Sequence, residues 1–498
     1  MPSNRVLRVR THDDGVAAHR LREGVEQLRK ELGVTPHFPP EVEEAAARAA
    51  AEPRLPDLDR TDLPMLTIDP EGARDLDQAM HIERDGDGFV VHYAIADVAA
   101  FVSPGDPVDL EANRRGETLY APESKVPLHP PVLSEGAASL LAGETRPALL
   151  WTIRLDDEGE GTDVRVERAL VRSTAQLTYQ QAQAGLDDGS APETVRLLAE
   201  VGPLRLAREA ARGGVSLPLP EQEVEVEGEH WHLGFRDRLA MEDWNAQISL
   251  LTGYGAADLM VYARVGLLRT LPPPDPHDVQ RLHRTARALG IDWPAEMLYP
   301  DFIRTLDPTV PAHAAMVDAS TRLLRGSGYV GFNGELPEQP LHAALAAEYA
   351  HVTAPLRRLG DRYAGEVCLA LCAGTEVPDW VLQALPGLPE TLRTSAQRAS
   401  SYERGVLDLV EAGVLEERVG EVFAGVVVDV DDKDPTRGSV VVQSPAVEGR
   451  LTSSGADLPL GTDVHVRLVT ADVRQRRVAF ELAELAELAE QGEQGEQG

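Results

Sequence analysis

Three aspartates, Asp69, Asp75 and Asp77, fall within nine positions in the stretch Thr67-Ile68-Asp69-Pro70-Glu71-Gly72-Ala73-Arg74-Asp75-Leu76-Asp77-Gln78-Ala79. Carboxylates brought close repel, at a cost on the order of 4 kcal/mol for a pair 4 Å apart at an effective dielectric of 20. A bound cation removes that cost. Oxygen donors without Cys or His select a hard ion, Mg²⁺ or Mn²⁺, which keeps waters and meets phosphate oxygens. Spacing alone leaves two other readings open. One is a solvated Asp-rich turn whose carboxylates cap the backbone and bind nothing. The other takes Asp75-Leu76-Asp77 as the D-x-D element of a phosphatase or glycosyltransferase.

A second group lies far along the chain, in Tyr349-Ala350-His351-Val352-Thr353-Ala354-Pro355-Leu356-Arg357-Arg358-Leu359-Gly360-Asp361. Thr353 as cap and Pro355 in the first turn predict a helix running to about Ala373 and stopping at Gly374. Arg357 and Arg358 in its opening turns make a phosphate site, through the helix dipole, free N–H groups and guanidinium forks. The competing reading is an Arg357 to Asp361 surface ion pair, worth a few tenths of a kcal/mol.

These residues need elements to hold them. The apolar run Leu63 to Ile68 reads as a buried strand ending at Asp69, broken by Pro70 and Gly72, with a second strand from Ala79 to Glu83. Asp75 and Asp77, two apart, are then expected on one face of that second strand, with Asp69 converging on them. Asp85-Gly86-Asp87-Gly88 signals a hairpin into Phe89–Ile95, and Leu149–Leu155 pairs with Asp163–Val171. Helices follow over 178–185, over 192–211 with a break at Gly202-Pro203, over 240–268 and over 278–289. This is an α+β arrangement, strands early and helices late.

Residues 1–59 form a small first unit: a short strand over 6–10, a helix over 14–32 and a second over 41–51. Two helices around a tight turn suggest a helix-turn-helix-like module whose basic face is Arg20, Arg22, Arg29 and Lys30; a plain helical cap on the next unit is the other reading. Pro53, Pro56 and Pro64 mark a linker into a second, larger unit that carries both groups of candidate residues. Five short strands over 418–482 suggest an OB barrel, a common home for single-stranded nucleic acid, with Phe423 and Phe480 as its chief stacking candidates. Residues 483–498 form an acidic low-complexity tail expected to be solvated.

At 498 residues the length suits about three domains, and the net charge is −34. The tail holds five glutamates and no base, so most of that charge lies elsewhere. Such a balance excludes a generic polyanion binder; nucleic acid would have to enter a locally basic channel. The two cysteines, Cys368 and Cys372, exclude a disulfide framework and read as thiols in an apolar helix. No apolar run spans a bilayer and the start shows no signal peptide, so no membrane partner and a cytoplasmic location are expected.

Taken together the motifs resemble the ribonuclease II/ribonuclease R family, in particular its RNB catalytic domain over roughly residues 60–405. Thr67 to Ala79 is similar to T-[IM]-D-P-x-x-A-[RK]-D-x-D-D-A. Tyr93-Ala94-Ile95-Ala96-Asp97-Val98, Arg115-Gly116 and Leu119-Tyr120-Ala121-Pro122 are similar to H-I-A-D-V…R-G-x-x-x-Y-x-P. His351 to Asp361 is similar to H-F-T-S-P-I-R-R-Y-x-D, and the last barrel resembles the family's RNA-binding OB module. The resemblance implies an α+β multidomain protein that hydrolyses single-stranded RNA stepwise from its 3′ end to nucleoside 5′-monophosphates, using Mg²⁺ (or Mn²⁺) and no organic cofactor, as a monomer. It implies Asp69, Asp75 and Asp77 as metal ligands with Asp77 most critical, Gln78 at a fourth ligand position and Arg357 on the scissile or adjacent phosphate. On the RNA it places Tyr120 against the 3′-terminal base, Tyr179 along the channel, and Arg358 and Glu403 beside the substrate.

The chain departs from the pattern in four places. Gln78 replaces the fourth aspartate and brings no charge. Gln247 stands where a helix of the family carries glutamate. Val224 falls near the second base-clamping aromatic, and the N-terminal unit is too short and helical for paired cold-shock barrels. The competing function is a catalytically weakened RNB protein that binds RNA as a regulator; a D-x-D phosphatase or transferase is more distant.

Overall fold

The structure, a computed structural model, describes residues 8–11, 16–121, 124–218, 221–227, 230–236 and 238–483. The acidic tail beyond 483 lies outside the described residues.

Two closed five-stranded barrels organise the chain. In the first, Met65–Asp69, Gln78–Asp85, Gly88–Ala96, Thr145–Leu155 and Gly161–Thr178 follow one another around the wall. The outer two strands close it in parallel, with Ile68 opposite Leu177 and Asp69 opposite Thr178. Asp85 pairs with Gly88 across the expected hairpin. Alternation of side chains sends Leu66, Met80, Ile82, Tyr93, Ile95, Trp151 and Ile153 into one core shared with the helices packed beside the barrel. Those helices include Tyr179–Asp188, Glu193–Arg212, Ala240–Ala263 and Leu359–Ala373.

Three helical expectations change. Glu193–Arg212 continues as one helix through Gly202-Pro203; Gly202 lies against the Trp244 indole, where a Cβ would come within 2.3 Å of the ring. The helix from Ala240 stops at Ala263 rather than Leu268: Arg264 takes a left-handed φ of 59° and Val265–Thr270 becomes a strand paired with Gly328–Asn333. The arginine helix begins at Leu359, not at Thr353; Asp361 Oδ2 takes the Ala354 N–H at 2.8 Å and holds 354–358 as a turn ahead of it.

The first unit divides between two cores. Helix Val16–Glu31 buries Leu21, Val25 and Leu28 with Tyr402, Val406 and Leu409 of helix Leu388–Leu415 and with the second barrel. Helix Pro40–Ala51 buries Val42 and Ala46 beside Ala94, Phe101 and Leu150 of the first barrel region. The basic residues of the first helix are engaged: Arg20 with Glu416 at 2.8 Å, Lys30 with Glu26 at 2.8 Å, and Arg29 with Tyr402 Oη at 3.0 Å and Ser124 Oγ at 2.8 Å. Arg8–Thr11 joins a small sheet with Glu221–Glu227, where Val9 pairs Val224; the Val224 side chain lies outside the described residues.

The second barrel comprises Val422–Val430, Arg437–Gln443, Ala446–Thr452, Asp463–Asp472 and Arg477–Leu482, in the order first, second, third, fifth, fourth. Phe423 and Phe480 are buried inside it, edge to face at 6.1 Å. They build its core and cannot stack on bases. Among the described residues no helix is long and apolar enough to cross a membrane. Cys368 is buried and both cysteines are free.

Candidate active site

The first barrel strand ends at Asp69 and the second begins at Gln78; Gly72, at φ 78°, turns the chain between them. Asp75 and Asp77 therefore precede the strand instead of sharing one of its faces. Ser139 fixes this connection: its Oγ accepts from Leu76 N at 2.9 Å and donates to Arg74 O at 2.6 Å. Buried Leu76 points into the protein, and the aspartates on either side of it meet different partners.

Asp77 is 5% exposed. Its Oδ1 accepts from Leu356 N at 2.7 Å, and its Oδ2 lies 3.4 Å from Arg357 Nε. Burial pushes its carboxyl up to about 7, against the pull of Arg357. Burial likewise raises Asp69 to about 6, and Arg357 acts on it too. Asp69 Oδ2 is buried with no hydrogen-bond partner among the described residues. Asp75 faces the short hairpin of Leu119–Ala121 and Ser124–Val126. Its Oδ1 sits 2.7 Å from Lys125 Nζ and its Oδ2 accepts from Tyr120 Oη at 3.2 Å.

Gln78 is committed at both ends of its amide. Nε2 donates to Thr353 O at 2.6 Å and Oε1 accepts from Tyr93 Oη at 2.6 Å. It thus ties the aspartate strand to the arginine loop. Among the described residues no three His, Cys, Asp or Glu side chains gather into a metal-holding cluster. Asp69 and Asp77 nevertheless suit a hard divalent ion. Both are oxygen donors driven toward the protonated form by burial, one has an unpartnered buried oxygen, and a cation relieves that desolvation cost.

The two arginines separate in role. Arg357 keeps its side chain 44% exposed while touching Asp77, which leaves a guanidinium edge for an anion. Arg358 instead forks onto Asp361, Nη2 at 2.8 Å and Nε at 3.0 Å, so the ion pair to Asp361 belongs to Arg358 and not to Arg357. The loop is braced from the other side: Thr118 N donates to Arg357 O at 3.0 Å and Leu359 N to Gly116 O at 3.0 Å. Gly116 adopts φ 77° with Ser395 2.3 Å from where its Cβ would be, so only glycine passes there. Arg115 of the same motif is structural: it binds Glu111, Pro127 O and His37 O and covers the Phe38 ring at 3.7 Å.

Tyr120 is 40% exposed beside Asp75, which leaves much of its ring accessible. Tyr179 opens the helix after the last barrel strand, capped by Thr178, and its Oη accepts from Asn245 Nδ2 at 3.3 Å. Glu403 is exposed on helix Leu388–Leu415, with Glu117 as its charged neighbour. Gln247 is buried and donates to Glu209 Oε2 at 2.7 Å. Lys125 and Glu135, 3.0 Å apart, were not singled out by sequence reasoning; a lone lysine after a loop carries no spacing signal.

Comparison with known proteins agrees with this layout. The RNB domain family model matches residues 58–370, and the model for the RNase II-type exonuclease C-terminal S1 domain matches 421–483. The chain belongs to the RNB, or ribonuclease II/ribonuclease R, family. It is 28% identical over 474 residues to Ribonuclease R of Escherichia coli (strain K12), covering 85% of this chain and 57% of that relative's length. In fold it is similar to Mycoplasma genitalium RNase R in complex with ribose methylated single-stranded RNA, with TM-score 0.83, 19% identity, and 93% and 78% of the two chains covered. It is also similar in fold to yeast Ssd1, a pseudonuclease, with TM-score 0.69, 15% identity, and 89% and 56% covered.

Proposed function

We propose that this protein is a Mg²⁺-dependent hydrolytic exoribonuclease that shortens single-stranded RNA from its 3′ end and releases nucleoside 5′-monophosphates. The observation that carries the reading is the pair of buried carboxyls, Asp69 and Asp77, set beside the half-exposed Arg357. Asp69 and Asp77 would hold a divalent ion, which would supply water activation and charge stabilisation for hydrolysis at phosphorus. The Leu356 N–H fixes the Asp77 carboxylate, so the ligand is in place before substrate arrives. Arg357 binds a non-bridging phosphate oxygen with its free edge. Tyr120 stacks on the terminal base and holds its phosphate for attack. Arg358, locked on Asp361, holds the Arg357 turn in shape. Tyr179 lines the substrate path, and Glu403 faces the substrate from the long helix. The protein acts as a cytoplasmic monomer, with 60–405 as catalytic unit, 418–482 as RNA-binding barrel, and helices Val16–Glu31 and Pro40–Ala51 packed against the second and the first barrel region respectively.

A second reading, an RNA-binding regulator without turnover, is favoured by the neutral Gln78, whose amide is spent on Thr353 and Tyr93. A 5′-labelled oligoadenylate incubated with Mg²⁺ separates the two. A ladder shrinking from the 3′ end, abolished by EDTA, is expected; retention of full-length RNA in a stable complex overturns the enzyme reading.

A further inference from the structure

Lys125 lies directly across the hairpin from Tyr120, and both reach the same carboxylate. Its Nζ is 2.7 Å from Asp75 Oδ1 and 3.0 Å from Glu135 Oε1. The three side chains are 23%, 15% and 26% exposed, so the ammonium is clamped at two ends in a half-buried place, unlike a mobile surface pair. Tyr120 Oη takes the other Asp75 oxygen. The hairpin itself is anchored, since Arg29 of the first helix binds Ser124 Oγ at 2.8 Å. Asp75 is therefore served by protein donors at both oxygens. Gln78, the remaining oxygen donor in the motif, is neutral and engaged at both ends.

From this geometry we infer that Lys125 is a built-in cation beside Asp75: its ammonium takes the place of a second metal ion, and the site holds a single divalent ion on Asp69 and Asp77. Charge points the same way. Three aspartates and Glu135 stand against Arg357 and Lys125, so one divalent ion balances the site. A second would sit against the ammonium. Lys125 is thus a positioning residue, setting the metal count without touching the reacting phosphate. The inference rests on the nuclease reading for the identity of the site, and its test does not depend on turnover.

The experiment counts Mn²⁺ bound to the full chain by electron paramagnetic resonance, with Asp77→Asn subtracted to remove weak surface sites. Wild type is expected to exceed that blank by one ion, Lys125→Met and Lys125→Gln by two, and the charge-conserving Lys125→Arg by one. Two ions or none on wild type overturns the inference, whatever the variants do. So does a folded Lys125→Met or Lys125→Gln that stays at one. The labelled oligoadenylate is run on the same wild-type preparation. One ion without shortening sinks the nuclease reading and leaves the lysine assignment, whereas shortening with two ions does the reverse.

Discussion

The two barrels are alike in strand number and closure, yet only the first gathers chemistry. In the first, the connection from Asp69 to Gln78 is covered by parts of the chain far away in sequence: the 354–358 turn, the Tyr120 hairpin and Ser139. That covering desolvates carboxylates and sets charged partners against them, the condition under which electrostatics become strong. In the second barrel the connection between the first two strands carries Asp431, Asp432 and Lys433 on the exposed surface, where salt screens their charges. Its aromatics face inward. A barrel is a frame; chemistry arises where other elements close over one end of it.

Substitutions at five positions test this contrast, from the largest effect on RNA shortening to none. Asp77→Asn should slow single-turnover cleavage about 10³-fold, the upper range for loss of one preorganised electrostatic group; a rate within tenfold of wild type would place the chemistry elsewhere. Arg357→Ala should cost about 10²-fold, whereas Arg358→Ala should act chiefly through stability by freeing Asp361, seen as a lowered melting temperature. Tyr120→Ala should weaken binding of the 3′ end by about 1–3 kcal/mol, measured as KM, and Tyr120→Phe should retain most of it because the ring does the stacking. Phe480→Ala should destabilise the second barrel by about 3–5 kcal/mol in denaturant titration. Below its unfolding transition it should leave cleavage of a short oligomer unchanged. If that rate falls too, the second barrel takes part in the chemistry and the contrast between the barrels fails.

Much of this was legible in the sequence. The aspartate stretch, the Gly86-Asp87 hairpin and the five closing strands follow from local alternation and turn chemistry, which act over a few residues. Local rules failed where a competing side-chain contact or tertiary packing intervened. Thr353 and Pro355 look like a helix start, but Asp361 holds that segment as a turn. Gly202-Pro203 looks like a break, but the helix continues through it and packs Gly202 against Trp244. Phe423 and Phe480 look like a stacking pair for bases, but they pack on each other in the barrel core.

The sequence by itself determined which residues can do chemistry: three carboxylates, two arginines and a tyrosine, in an order specific enough to indicate the family. Tertiary structure alone decided how they divide the work. It set Arg357 on Asp77 and Arg358 on Asp361, closed both ends of the Gln78 amide, and put Lys125 against Asp75. The reason is physical. Side-chain type and spacing are local properties of the chain, whereas burial, pairing and the resulting charge state depend on which distant segment the fold brings within a few ångströms.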